Sequence, residues 1–192
     1  MSANILYRII HIDSYRCTVA EEGPEGGTEG RTCPACGQAS QSGPCKACSA
    51  KERIEDLVAS AKRRIDEGWD RGAEMKGASD LLTGARLMLE AGCHDDAEQL
   101  AGAANDLAME TVTQFDALVI GIMRSRRCIE EANEAGSDTS EAERVLEMAK
   151  RALAENNYRE GMALAMKSRD MATREMRKYE SWRVEVGSWM KR

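Results

Sequence analysis

The sequence predicts an all-α protein: two tandem three-helix units sharing one long central helix, with a small N-terminal metal module. Three observations predict it. Only three prolines occur in 192 residues, and all precede residue 45, so the rest of the chain is free of the strongest helix breaker. Aromatic residues make up 4% of the chain, with a single Phe, so Ala, Leu and Met, all strong helix formers, must supply the core. Finally, the chain matches itself when displaced by 64 residues, as from Ile65 to Ile129.

That repeat runs without gaps. Glu67 falls on Glu131, Gly72 on Gly136, Ala78 on Ala142, Leu82 on Leu146 and Leu89 on Leu153. Further on, Phe115 meets Tyr179, Leu118 meets Trp182 and Ile122 meets Val186. The matching glycines also sit where helical periodicity breaks, which composition alone would not arrange.

The helices follow from periodicity and punctuation. The first is expected from about Ala50 to Trp69, with Ile54, Leu57, Val58, Ala61 and Ile65 inward and Gly68 and Gly72 ending it. The second is expected from about Ala73 to Ala91, with Ala78, Leu81, Leu82, Ala85, Met88 and Leu89 inward, stopped by Gly92. The third begins near Asp95, read as an N-cap with Glu98 completing a capping box, and runs to about Ala135. Along it Ala97, Ala101, Ala104, Ala108, Thr111, Phe115, Leu118, Ile122, Ser125 and Ile129 recur in steps of four and three, a heptad seam. At 1.5 Å per residue this helix is about 60 Å long. Ser140 and Glu143 read as a capping box for the fourth helix, which ends near Asn156 and Asn157, and the fifth runs to about Trp189. The second half of helix three repeats helix one, and its first half repeats the start of helix five. One long helix therefore closes the first unit, 50–113, and opens the second, 114–192. The topology resembles the tandem three-helix arrangement of spectrin repeats, in a much shorter unit and without a spectrin sequence motif.

Ahead of the helices the chain changes character. Residues 1–20, with Ile5, Leu6, Tyr7, Ile9, Ile10 and Ile12, read either as two short strands and a turn or as a short helix. Residues 21–31, EEGPEGGTEGR, read as a flexible acidic linker. Residues 32–49 hold Cys33, Cys36, Cys45 and Cys48 in the spacing Cys-x2-Cys-x8-Cys-x2-Cys. Two residues between cysteines let both thiolates of a pair face one ion, and two such pairs complete a tetrahedral sulfur shell with no open position. One structural zinc ion is expected. The pattern CPACG followed by CKAC resembles the short zinc-ribbon family; its eight-residue loop is slightly short, and Pro44 stands where an aromatic often precedes the third cysteine. The resemblance covers these eighteen residues and implies a metal-held module.

The other candidate chemistry reads as structure. Cys93, His94, Asp95 and Asp96 offer nucleophile, base and acid types, but adjacent residues on a turn rarely converge on one substrate atom. His11 and Asp13 read as a solvated edge, and Cys17 and Cys128 have no assigned role. The basic clusters Lys62-Arg63-Arg64, Arg124-Arg126-Arg127 and Arg174-Arg177-Lys178 are interleaved with carboxylates, as on a solvated face with local ion pairs. The stripe Tyr179, Trp182, Val186 and Trp189 has helical spacing and is expected to pack in the core, with its last turn available to a partner helix or a second copy.

The net charge of −6 disfavours a general nucleic-acid surface. No stretch approaches the roughly 20 apolar residues that cross a bilayer, and Arg8 and His11 interrupt the apolar run near the N-terminus. A cytoplasmic protein is expected, where clustered thiols bind metal rather than pair as disulfides. No phosphate-cradling glycine loop, HExxH or paired catalytic carboxylates are found, so no enzyme is expected. The function expected is a protein-interaction or scaffold role with a protein partner or self-association. The alternative is a nucleic-acid-associated zinc-ribbon factor of transcription or translation.

Overall fold

The computed structural model describes residues 31–32, 39–40 and 46–189. Two short strands, β1 (Arg31–Thr32) and β2 (Ala39–Ser40), pair antiparallel, with Arg31 opposite Ser40 and Thr32 opposite Ala39. Five helices follow: α1 (Lys46–Arg71), α2 (Lys76–Glu90), α3 (His94–Glu134), α4 (Ser140–Ala154) and α5 (Tyr158–Trp189). The body is all-helical. The expected segment 1–20 and the linker up to residue 30 lie outside the described residues.

Each of the four helix-to-helix turns is closed by the same device. A residue with positive φ follows the helix, and its own N–H and the next one reach back to the last carbonyls. Gly72 (φ +88°) donates to Trp69 O at 2.9 Å and Ala73 to Gly68 O at 3.0 Å. Gly92, Gly136 and Asn156 close the other three turns in the same way. The turns keep the repeat register: Gly72 falls on Gly136, and Gly92 (φ +77°) on Asn156 (φ +59°). α2 and α4 have equal lengths of 15 residues and start 64 residues apart, at Lys76 and Ser140. α3 and α5 begin at His94 and Tyr158, the same displacement.

Some expectations at the helix ends are corrected. Gly68 does not terminate α1. It lies inside the helix as a notch for Met75, whose Cε would sit 2.0 Å from a Cβ at that position. The side chain of Met75 is thereby wholly buried. Asp95 is not the N-cap of α3; Cys93 holds that position without a side-chain cap, because the Gly92 turn places the helix start one residue before Asp95. Asp95 and Asp96 lie in the first turn, where their charge complements the helix dipole. Ser140 likewise begins α4 after the N-cap Thr139, whose hydroxyl bonds the Asn133 and Glu143 side chains. Asp138 accepts from the Ser140 N–H (3.1 Å) and hydroxyl (2.7 Å) instead.

α1 packs on α2 and α3, and α3 continues onto α4 and α5, which pack on each other. One core gathers Ala61, Ile65, Met75, Leu81, Leu82 and Ala108 from α1, the first turn, α2 and α3. The remaining cores, around Leu118, Ala149, Tyr158 and Ala165 and around Ile129, Leu146 and Ala172, join α3 to α4 and α5. The seam read along α3 is the one that is buried: Ala97, Ala101, Ala104, Ala108, Leu118, Ser125 and Ile129 are all inside, with Ala132 added. Its small residues let helices meet closely, and two buried serines bond across the contacts. Ser125 Oγ donates to Ala165 O at 2.5 Å, and Ser168 Oγ to Ala142 O at 2.7 Å.

Candidate functional site

The cysteine module is described only at its margins. β1 and β2 flank residues 33–38, the stretch that contains Cys33 and Cys36. Cys33, Cys36 and Cys45 lie outside the described residues, whereas Cys48 sits half-buried in the first turn of α1, which starts at Lys46, four residues before the expected helix. Among the described residues no group of three or more His, Cys, Asp or Glu side chains converges in a way that would hold a metal ion.

At the turn between α2 and α3, Cys93 is buried as the N-cap residue and His94 opens the helix with its Nδ1 buried and unpartnered. The two residues hold the corner that joins the helices. The repeat counterpart of this corner lies between α4 and α5, where Tyr158 does more. Its hydroxyl accepts from the Glu74 N–H at 2.9 Å and donates to Asn156 Oδ1 at 3.2 Å. Its ring meets Phe115 edge-on, with centroids 5.9 Å apart and planes at 87°. Phe115 packs against the core of α1 and α2 and also against the core of α4 and α5. Tyr158, Phe115 and the turn after α1 thus form a joint between the two halves of the molecule. A single tyrosine at a helix start carries no periodic signal, and the sequence alone does not reveal this joint.

The basic clusters lie on exposed helix faces. Arg126 and Arg127 pair with Glu130 and Glu131 one turn on, at 2.8 and 2.9 Å. Lys178 pairs with Glu175, and Arg71 with Asp116 across the α1–α3 contact, at 2.6 and 2.7 Å. Such exposed pairs contribute at most about 1 kcal/mol each. Two open grooves hold arginines beside a carboxylate. One, between α1 and α3, is lined by Ser60, Arg63, Arg64, Glu67, Arg71 and Thr113; the other, along α5, is lined by Asp170, Thr173, Arg174, Arg177, Lys178 and Ser181.

No family model, curated protein or solved structure matches the chain.

The clearest feature of the surface is the end of α5. The expectation that Trp182 packs in the core is overturned: it is 57% exposed, and Trp189 in the last turn is 73% exposed and Val184 74%. The cause is length. Tyr179 lies against the turn after α3, where a Cβ on Gly136 would come within 3.1 Å of its hydroxyl. Beyond Tyr179, α5 passes that turn, and the two tryptophans are left in solvent. Trp182 stacks only loosely on Tyr179, with centroids 5.9 Å apart. Leu118, its counterpart in the repeat, is wholly buried. No helix among the described residues is long and apolar enough to cross a membrane.

Proposed function

We propose that this chain is a non-enzymatic interaction protein of the cytoplasm. Two copies of a three-helix unit, 50–113 and 114–192, share α3 as their common helix and form a rod that presents a binding surface. Residues 32–49 form a zinc ribbon in which Cys33, Cys36, Cys45 and Cys48 hold one structural zinc ion. The matched helix starts, the matched positive-φ turns and the way α3 serves successive cores support the two-unit reading. The hairpin pairing of β1 with β2 around the first cysteine pair supports the ribbon.

The observation that carries the interaction reading is the apolar end of α5. Large aromatic side chains held on a long helix and left in water are the usual mark of a contact surface. The alternative, a nucleic-acid-associated zinc-ribbon factor, rests on the arginines that line the two open grooves.

The test compares isolation of partners from the native host by the wild-type chain and by a Trp182→Ser, Trp189→Ser double variant. A stoichiometric protein partner, or a concentration-dependent mass in light scattering, that disappears in the variant supports the interaction reading. Retention on mixed-sequence DNA or RNA that falls steeply with salt, unchanged in the variant, would replace it with the alternative.

A further inference from the structure

The repeat register places three successive instances of one docking seam along the chain. Displaced by 64 residues, Ile54 of α1 falls on Leu118 of α3, and Leu118 on Trp182 of α5. The next rows are Val58, Ile122 and Val186, then Ala61, Ser125 and Trp189. The first two instances are covered: Ile54, Ala61, Leu118 and Ser125 are buried to within 1% of completeness. The third is open, with Trp182 and Trp189 more than half exposed.

What covers the second instance is the antiparallel hairpin of α4 and α5, with small residues nearest Leu118 and Tyr158, Leu153 and Leu164 beside them. Ala149 of α4 and Tyr158 and Ala165 of α5 surround Leu118. Gly161 approaches so closely that a Cβ there would lie 2.6 Å from Leu118 Cδ2. The corresponding positions of α2 and α3, Ala85, Ala97 and Ala101, are also wholly buried and also small. The positions that correspond to this cover in the first unit are thus small and buried as well.

We propose that the end of α5 is a third seat of this kind, and that its occupant is an antiparallel helical hairpin that presents alanine and glycine to the two tryptophans. A second copy of this chain is a poor occupant, because both of its hairpins already spend their inner faces on its own α1 and α3. A bilayer surface is a poor occupant too, since Glu175, Glu180 and Glu185 interleave with Arg177, Lys178 and Arg183 around the tryptophans. The proposal rests on the two-unit reading given above and names the partner chemistry of its exposed end.

The seat is tested by giving the full chain its own cover. Residues 129–192 are appended after Arg192, so that the copy of Ile129 continues the register. Trp69 and the two tryptophans of the appended copy are replaced by Phe, so that emission reports Trp182 and Trp189 alone. The expected result is a blue shift and a several-fold fall in acrylamide quenching relative to the unextended Trp69→Phe chain. Unchanged quenching, whether the appended helices form or stay unfolded by circular dichroism, overturns the proposal. A fall in quenching of the unextended chain with its own concentration, or on addition of phosphatidylcholine–phosphatidylserine vesicles, overturns it in favour of a second copy or a lipid surface. Leu118→Ala in the extended chain keeps the two readings apart. A large loss of thermal stability with unchanged quenching rejects the third seat alone; no loss rejects the two-unit reading beneath it.

Discussion

Leu118→Ala measures how firmly α4 and α5 are held on α3. Leu118 is wholly buried and lies among Ala149, Tyr158, Gly161 and Ala165. Burial of a leucine side chain is worth about 1.5–3 kcal/mol in transfer from water, and the hole left behind adds to the loss. Here the hole closes poorly. Its nearest walls are Ala149, Gly161 and Ala165, which have no side-chain atoms to move into it, and the Tyr158 ring is held in place by its hydroxyl bonds and by Phe115. The expected cost is therefore about 3–4 kcal/mol, in the upper part of the range for such substitutions. For a chain of this length that is a fall in Tm of about 10 °C. The assay is urea unfolding followed by circular dichroism, with the slope of the transition unchanged between variants. The repeat counterpart supplies the control: Trp182→Ala removes a larger side chain but one that is 57% exposed, and a cost within about 0.5 kcal/mol is expected. A Leu118→Ala loss below about 1 kcal/mol, or equal losses at the two positions, would refute the packing argument.

Tyr158→Phe removes the acceptor for the Glu74 N–H while keeping the ring on Phe115, and a cost of about 1 kcal/mol is expected in the same unfolding assay. Cys33→Ser is expected to abolish stoichiometric zinc in elemental analysis while leaving most of the helical dichroism, because the helices from α1 onward have cores of their own. Asp138 is held below the ordinary aspartate pKa by the Ser140 hydroxyl and backbone N–H, with burial opposing weakly. A depressed folded pKa stabilises above the unfolded value of about 3.9 and loses that effect as pH falls through the folded value. By NMR, Asp138 should titrate below free aspartate, and Ser140→Ala should return it toward the ordinary range. All three tryptophans are substantially exposed, Trp69 at 46%, so the emission maximum of the native chain should barely move on unfolding; a large red shift would show that the tryptophans are covered in solution.

The fold was legible wherever the signal is a spacing. Ala97 through Ile129 announce their buried face by recurring in steps of four and three, and that face does not depend on which partner meets it. Gly72, Gly92 and Gly136 were legible because a left-handed turn selects glycine, and the register of the repeat placed Asn156 with them. Features that need two segments to meet were not legible. Nothing around Gly68 says that Met75 will fold back into its notch, and nothing around Tyr158 says that its hydroxyl will reach Glu74. The capping boxes read at Asp95 and Ser140 failed because the turn geometry fixes the first helical residue before a side chain can choose. The stripe from Tyr179 to Trp189 misled for a related reason: periodicity records that a face is apolar and is silent about whether anything covers it. Of the four expected zinc ligands, only Cys48 lies among the described residues.

The unbroken run of α3 has a mechanical consequence. Its 41 residues contain no proline and no break, so the cores at its two ends cannot hinge independently. It acts as a ruler that fixes both the separation and the rotational phase of the cores along it. Each residue inserted near its middle would advance one end by about 1.5 Å and turn it by about 100°, so lengthening this helix would aim the far tryptophans in a new direction before it moved them far.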